Sequence, residues 1–205
     1  MRSLGVRLLK SLAVASIICL SDASSAQPVR EATTVQIFPD IEQENGADAI
    51  CGIRVLFSAS ESQVDFELYD LTIGMYVSAS HKGLTAVRAT ERKGDLSTDP
   101  KLANAARIQP TDMLFGVSPF KSPVGLRDRK TVDGILVATV DESKAARAGD
   151  YGGALIRHLL HGEPILVIWN DGSGVPKSFS IRTPNDEIVF EAMQSCLKGS
   201  IPLDG

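Results

Sequence analysis

The chain has no block of five like charges, no internal repeat, no low-complexity tract and only three cysteines among its 205 residues. Each shortage removes a class of function. With 21 Lys plus Arg against 25 Asp plus Glu, a net charge of −4, it lacks the basic block expected of a nucleic-acid binder or a ligand of anionic membranes. It has no His-Glu-x-x-His, no Cys-x-x-Cys and no Gly-x-Gly-x-x-Gly opening a βαβ unit, so the zinc-protease, thiol-exchange and dinucleotide signatures are missing. What is there is ordinary: 43% hydrophobic and 22% charged residues suit a globular protein.

The amino terminus has a composition of its own. Residues 1–10 carry Arg2, Arg7 and Lys10, residues 11–20 (SLAVASIICL) are apolar, and Ser24 and Ala26 are the small residues before a cut at Gln27. This tripartite shape predicts a bacterial secretory signal over residues 1–26. A membrane anchor is the alternative, but ten apolar residues closed by Ser21 and Asp22 are half of the roughly 20 that a spanning helix needs. A lipoprotein signal is the other, with Cys19 as the lipidated residue; Ile18 before it is not the small residue such signals place there. Without residues 1–26 the chain has 179 residues, 18 basic and 24 acidic side chains, and a net charge of −6. The expected location is the periplasm, with secretion as the alternative and no stable membrane anchor after cleavage.

Setting Cys19 aside leaves Cys51 and Cys196, an even pair in an oxidising compartment, for which one disulfide is the default expectation. Two buried free thiols are the alternative.

Residues 27–49 read as an extended lead-in with a short β-like piece at 33–38 and edge pairing open to it, and residues 50–205 as one β-rich domain. From Ile50, Cys51, Ile53, Val55 and Phe57 alternate with polar positions, the period of a half-buried strand. Val64, Phe66 and Leu68 continue as the partner strand of a hairpin. Leu71, Ile73, Met75 and Val77 then fall on odd positions, which predicts a phase shift at Asp70 and a bulge or turn near Gly74. Residues 85–90 and 134–140 read as further strands. Residues 94–129 are irregular and broken by four prolines, with a short helix from the Asp99 cap to Ala106. Residues 142–148 and 150–161 read as helix interrupted at Gly149. Residues 164–169 and 175–182 read as a hairpin turning on Asn170-Asp171-Gly172-Ser173-Gly174. Thr183 caps a last helix, with Pro184 at N1, Asp186 at N3 and Cys196 on its apolar face. The sum is a mainly β, α+β fold: an antiparallel sheet or sandwich-like domain covered by two helices.

Few residues suggest chemistry. His158 and His161 lie three apart near a helix end with Glu163 just beyond, a spacing that can turn two imidazoles and a carboxylate to one metal. Two histidines meeting the negative end of the helix dipole explain them as well. Arg127, Arg129 and Lys130 cluster around Asp128 as an anion-binding candidate, or as a solvated turn. His81 reads as a turn residue. Asp171-Gly172-Ser173-Gly174 has neither the spacing nor the strand-to-helix setting of a nucleophile elbow, and residues 149–153 read as a helix break. Asp65 and Glu67 share one face and are read as a wet surface, and Trp169 as core. No cofactor is implied.

Residues 154–180 (ALIRHLLHGEPILVIWNDGSGVPKSFS) resemble the invasion-associated locus B type of small bacterial periplasmic protein, as does the order of signal, early Cys-bearing strands and late Leu-rich helix ending in His-Gly. The chain departs from that pattern in closing with a helix that bears Cys196. The resemblance implies an envelope or host-interaction role and supplies no catalytic residue. The expectation is an exported, non-enzymatic binding or interaction protein whose protein or small-molecule partner is not identified. A small periplasmic hydrolase with its site in residues 94–129 is the alternative, and a metal carrier using His158, His161 and Glu163 the third.

Overall fold

The computed structural model describes residues 28–44, 47–59, 65–77, 83–95, 105–144, 150–174 and 176–197. The expected signal segment with Cys19, the turn at His81 and the closing Gly199 lie outside the described residues.

A seven-stranded sheet is built from β2 (Thr33–Glu44), β3 (Ala47–Ser58), β4 (Asp65–Tyr76), β5 (Thr85–Asp95), β6 (Ala106–Ile108), β8 (Leu126–Val132) and β9 (Ile135–Val140). Its order is β2-β3-β4-β5-β9-β8, with β6 added beside β5 and every pair antiparallel. A four-stranded sheet has the order β1-β11-β10-β7, from β1 (Arg30–Glu31), β7 (Asp112–Gly116), β10 (Ile165–Asn170) and β11 (Lys177–Ile181). Here β1 runs parallel to β11, and the other pairs are antiparallel. The segment read as a lead-in therefore supplies an edge strand to each sheet.

Alternation fixes which side of the large sheet is dry. Cys51, Ile53, Val55 and Phe57 of β3 are buried and face the same side as Tyr69, Leu71, Ile73 and Met75 of β4. No phase shift occurs in β4: its register with β3 is unbroken from Ser58↔Leu68 to Ile50↔Tyr76. Gly74 lies opposite Gly52 in that ladder, and a Cβ on Gly74 would come within 3.0 Å of the Gly52 Cα. The apolar Phe66 and Leu68 belong to the outer face, where they are half-buried, and Glu67 belongs to the inner one.

The inner face is covered by three elements. Helix α1 (Asp150–His161) packs against β3, β4 and β10, and helix α2 (Glu187–Leu197) against β2 and β3. The small sheet covers the rest through aromatic contacts: Tyr69 lies 5.1 Å from Trp169 and 4.7 Å from Phe179, and Phe57 lies 5.4 Å from Phe179, between ring centroids. Trp169 is a core residue. Along α1, Gly152 permits the closest approach, since a Cβ there would stand 1.7 Å from the Thr85 hydroxyl oxygen. A Cys51–Cys196 disulfide, with Cα atoms 5.8 Å apart, joins β3 to α2 as the even cysteine count predicts.

Several local readings change. The cap of α2 is Asp186, whose carboxylate accepts the N–H groups of Ile188 and Val189 at 3.0 and 3.1 Å. Thr183 instead donates its hydroxyl to the Leu159 carbonyl, tying the segment before α2 to α1. Gly162, at φ +66°, ends α1 where the sequence places its end, with Glu163 N–H donating to the His158 carbonyl. Ala106 begins a strand rather than ending a helix, because β5 runs on to Asp95 and offers β6 an edge. Residues 142–144 form a 3-10 turn, and 145–149 are outside the described residues. Arg127 to Lys130 lie on β8, which the Asp133-Gly134 turn joins to β9; positive φ at both residues is what a two-residue hairpin with right-handed twist needs.

Candidate functional site

Two places in the described residues combine distinctive chemistry with shape. The first is a charged cluster between the sheets. Glu67 and Tyr69 stand two apart on β4 and so share its inner face, and the register sets them beside Lys93 and Glu91 of β5. From the small sheet come Lys177 of β11 and Asp171 of the turn after β10. Lys177 Nζ lies 2.9 Å from Glu91 Oε1, 3.0 Å from Tyr69 Oη, 3.4 Å from Glu67 Oε1 and 3.9 Å from Asp171 Oδ2. Lys93 Nζ lies 3.2 Å from Glu91 Oε1 and 3.6 Å from both Glu67 Oε1 and Asp171 Oδ2. Tyr69 donates to Glu67 Oε2 at 2.8 Å.

The electrostatics bind these groups to one another rather than prime them. Burial pushes the Glu67 carboxyl up, but the Tyr69 hydroxyl and the charges of Lys177 and Lys93 outweigh it and hold the group below its ordinary value. Asp171 is likewise lowered: burial opposes ionisation, and the Ser173 hydroxyl, the Ser173 N–H and the two lysines overcome it. Burial and the charge of Glu91 drive Tyr69 far upward, so it stays a phenol, a hydrogen-bond donor. For Lys93 burial works against the charge, and the carboxylates of Glu91 and Glu67 more than restore it. Glu91 is fully buried, and its Oε2 has no hydrogen-bond partner among the described residues. Two ammonium groups against three carboxylates make a clamp between the sheets. Such an arrangement gives little net stability by itself but is costly to break from one side.

The second place is a groove of about 520 Å³ over the small sheet. Its floor is Leu166 of β10 beside Gly116 of β7, which are paired in register. A Cβ on Gly116 would sit 3.1 Å from the Leu166 Cβ, so the glycine keeps the floor open. One wall is the Pro119, Phe120 and Pro123 segment, held from behind by Phe120 packing 4.7 Å from the Tyr151 ring and by the Tyr151 hydroxyl donating to the Phe115 carbonyl. Burial pushes the Tyr151 phenol up to about 12, so it too stays protonated. Lys121 is the one charged residue among the described residues of the lining.

On the outer face of the large sheet a smaller recess of about 280 Å³ is lined by paired charges. Arg54 donates twice to Asp70, at 2.9 and 2.6 Å, and Arg88 pairs with Asp40 and Glu42.

The residues singled out in the sequence distribute differently. His158 Nε2 faces Glu163 Oε2 at 3.0 Å, and its Nδ1 faces the Pro164 carbonyl at 3.2 Å, so both ring nitrogens are turned to protein acceptors. His161 points elsewhere, its ring 6.0 Å from that of Phe190. Among the described residues no group of three His, Cys, Asp or Glu side chains is placed to hold a metal. Arg129 pairs with Asp112 at 3.0 Å and donates to the Thr111 carbonyl at 3.3 Å, and Arg127 lies 3.7 Å from Asp128. With Lys130 exposed beyond the register shift of β8, the three cations do not converge. Ser173 donates its hydroxyl to Asp171, and is a turn residue. Glu67, read as a wet carboxylate, is in the clamp. Extending the odd phase of Tyr69, Leu71 and Ile73 back by two residues would have placed it there. Glu91 and Lys93 lie past the end of the strand read at 85–90; only extending the odd phase of Val87 and Ala89 beyond that end would have marked them as inward.

Comparison with protein-family models, with curated proteins and with solved structures finds no match. Among the described residues no helix is long and apolar enough to cross a membrane.

Proposed function

We propose that this is an exported, periplasmic binding protein without catalytic activity, and that the groove over the small sheet is its binding surface. The observation that carries the reading is the make-up of the groove: none of the eleven described residues that line it is Asp, Glu, His or Cys. It offers apolar contact and a single cation, which suit holding a ligand rather than proton transfer or nucleophilic attack. The disulfide and the secretory character of residues 1–26 support export. The resemblance of residues 154–180 to invasion-associated locus B proteins supports an envelope or host-interaction setting. A neutral, environment-sensitive apolar dye such as Nile red tests the reading. It should bind the folded protein at one dye per chain, and Leu166→Glu should abolish binding while leaving the urea unfolding midpoint unchanged. A native protein that binds no dye, or a variant that binds it equally well, overturns it.

A further inference from the structure

The chemistry of the groove says more than that something apolar fits. Its volume of about 520 Å³ lies inside the range of small-molecule sites, roughly 300–1,000 Å³. A stable protein partner needs about 800 Å² of buried surface on each side, far more than one groove supplies. The floor is a leucine beside a glycine and the walls are prolines and a phenylalanine, so most of the contact is with hydrocarbon. The described lining residues with polar side chains are Ser118, Ser180 and Lys121. Lys121 is exposed and has no ion-pair partner among the described residues, unlike Lys93 and Lys177. An anion is therefore favoured at the Lys121 end of the groove.

Resting on the reading of the groove as a binding surface, we infer that its ligand is a single-chain amphiphile with a carboxylate head, a fatty-acid-type molecule whose chain lies over Leu166 and Gly116 and whose carboxylate meets Lys121. The chain supplies most of the affinity, at about 0.8 kcal/mol for each fully buried CH₂. The ion pair, half in water, selects the head group more than it adds affinity.

The experiment is displacement of Nile red from the full chain by dodecanoate below its micellar concentration and by dodecanol below its solubility limit. Dodecanoate should displace the dye at lower concentration than dodecanol. Lys121→Glu should cut the preference for dodecanoate over dodecanol, read as the ratio of their displacement midpoints in the same variant, by about tenfold or more. Lys121→Arg should restore the carboxylate preference. Equal displacement by the two amphiphiles, or a preference indifferent to Lys121→Glu, overturns the carboxylate assignment while binding of the dye leaves the groove reading standing. If the dye itself does not bind, the groove reading fails first.

Discussion

Replacing Lys177 by Met tests whether the charges between the sheets act as one unit. The substitution keeps the aliphatic stem, which runs beside the Tyr69 ring, and removes the ammonium 5.4 Å from that ring's centroid. Glu91, fully buried, loses its contact at 2.9 Å and retains only Lys93 at 3.2 Å, a residue whose side chain is 35% exposed. Breaking a buried pair from one side costs about 3–5 kcal/mol. With Lys93 still present, the lower end applies, about 3 kcal/mol. Glu91→Leu is milder, about 1–2 kcal/mol, because Lys177 keeps Tyr69, Glu67 and Asp171 within 3.9 Å. The double variant removes both charges and should come within about 1 kcal/mol of the wild type, as apolar replacements of buried pairs do. The resulting coupling is at least about 3 kcal/mol, well above the roughly 0.5 kcal/mol scatter of independent sites. Urea denaturation of the four proteins measures it, provided each unfolds in a single transition with the same dependence on urea. Additive effects would show that the clamp is a set of separate contacts and refute the reasoning.

Three further outcomes follow from the same geometry. Glu67 and Asp171 ionise more readily folded than unfolded, so their contribution is present above their ordinary values of 4.5 and 3.8 and is lost as pH falls through the lower folded ones. The urea midpoint should drop below about pH 4.5, and more shallowly in Glu67→Gln; a midpoint that rises on acidification contradicts this. The disulfide spans 145 residues, for which the loop-entropy relation predicts a loss of about 5 kcal/mol when Cys51 and Cys196 are both changed to Ser. The reduced wild type should melt with the double variant, and an unchanged melting temperature would dismiss the bridge as a stabiliser. Gly152→Ala forces a methyl to 1.7 Å from Thr85 Oγ1 and 2.9 Å from Glu142 Oε1, and should cost about 2–3 kcal/mol in a thermal melt. Wild-type stability in that variant would mean that α1 does not lie so close to β5.

Where the residue pattern is local, it is readable in the chain. Cys51 to Phe57 alternates cleanly because one side is wet and the other dry, and the 165–181 hairpin is announced by apolar strands around Asn-Asp-Gly. Helix α1 is bounded by an apolar stripe and Gly162. Errors arise where a side chain's direction is set by a distant partner. Phe66 and Leu68 look inward by composition yet lie on the outer face, while Glu67 looks outward yet lies on the inner one. A carboxylate is stable there because Tyr69, Lys93 and, 110 positions later, Lys177 reach it. For the same reason β5 seems to end at Thr90: Glu91 and Lys93 are inward charges whose counter-ions come from residues 171 and 177.

The sequence by itself determined the period of most strands, the extent of the first helix and the even cysteine count, because each depends on neighbours along the chain or on counting. Only the tertiary structure decided the phase of β4, the second sheet that residues 112–116 enter, the clamp between the sheets and the groove over Leu166. Those features are made by residues tens to more than a hundred positions apart, and burial free energy and ion pairing act on distance in space, which the order of residues does not contain.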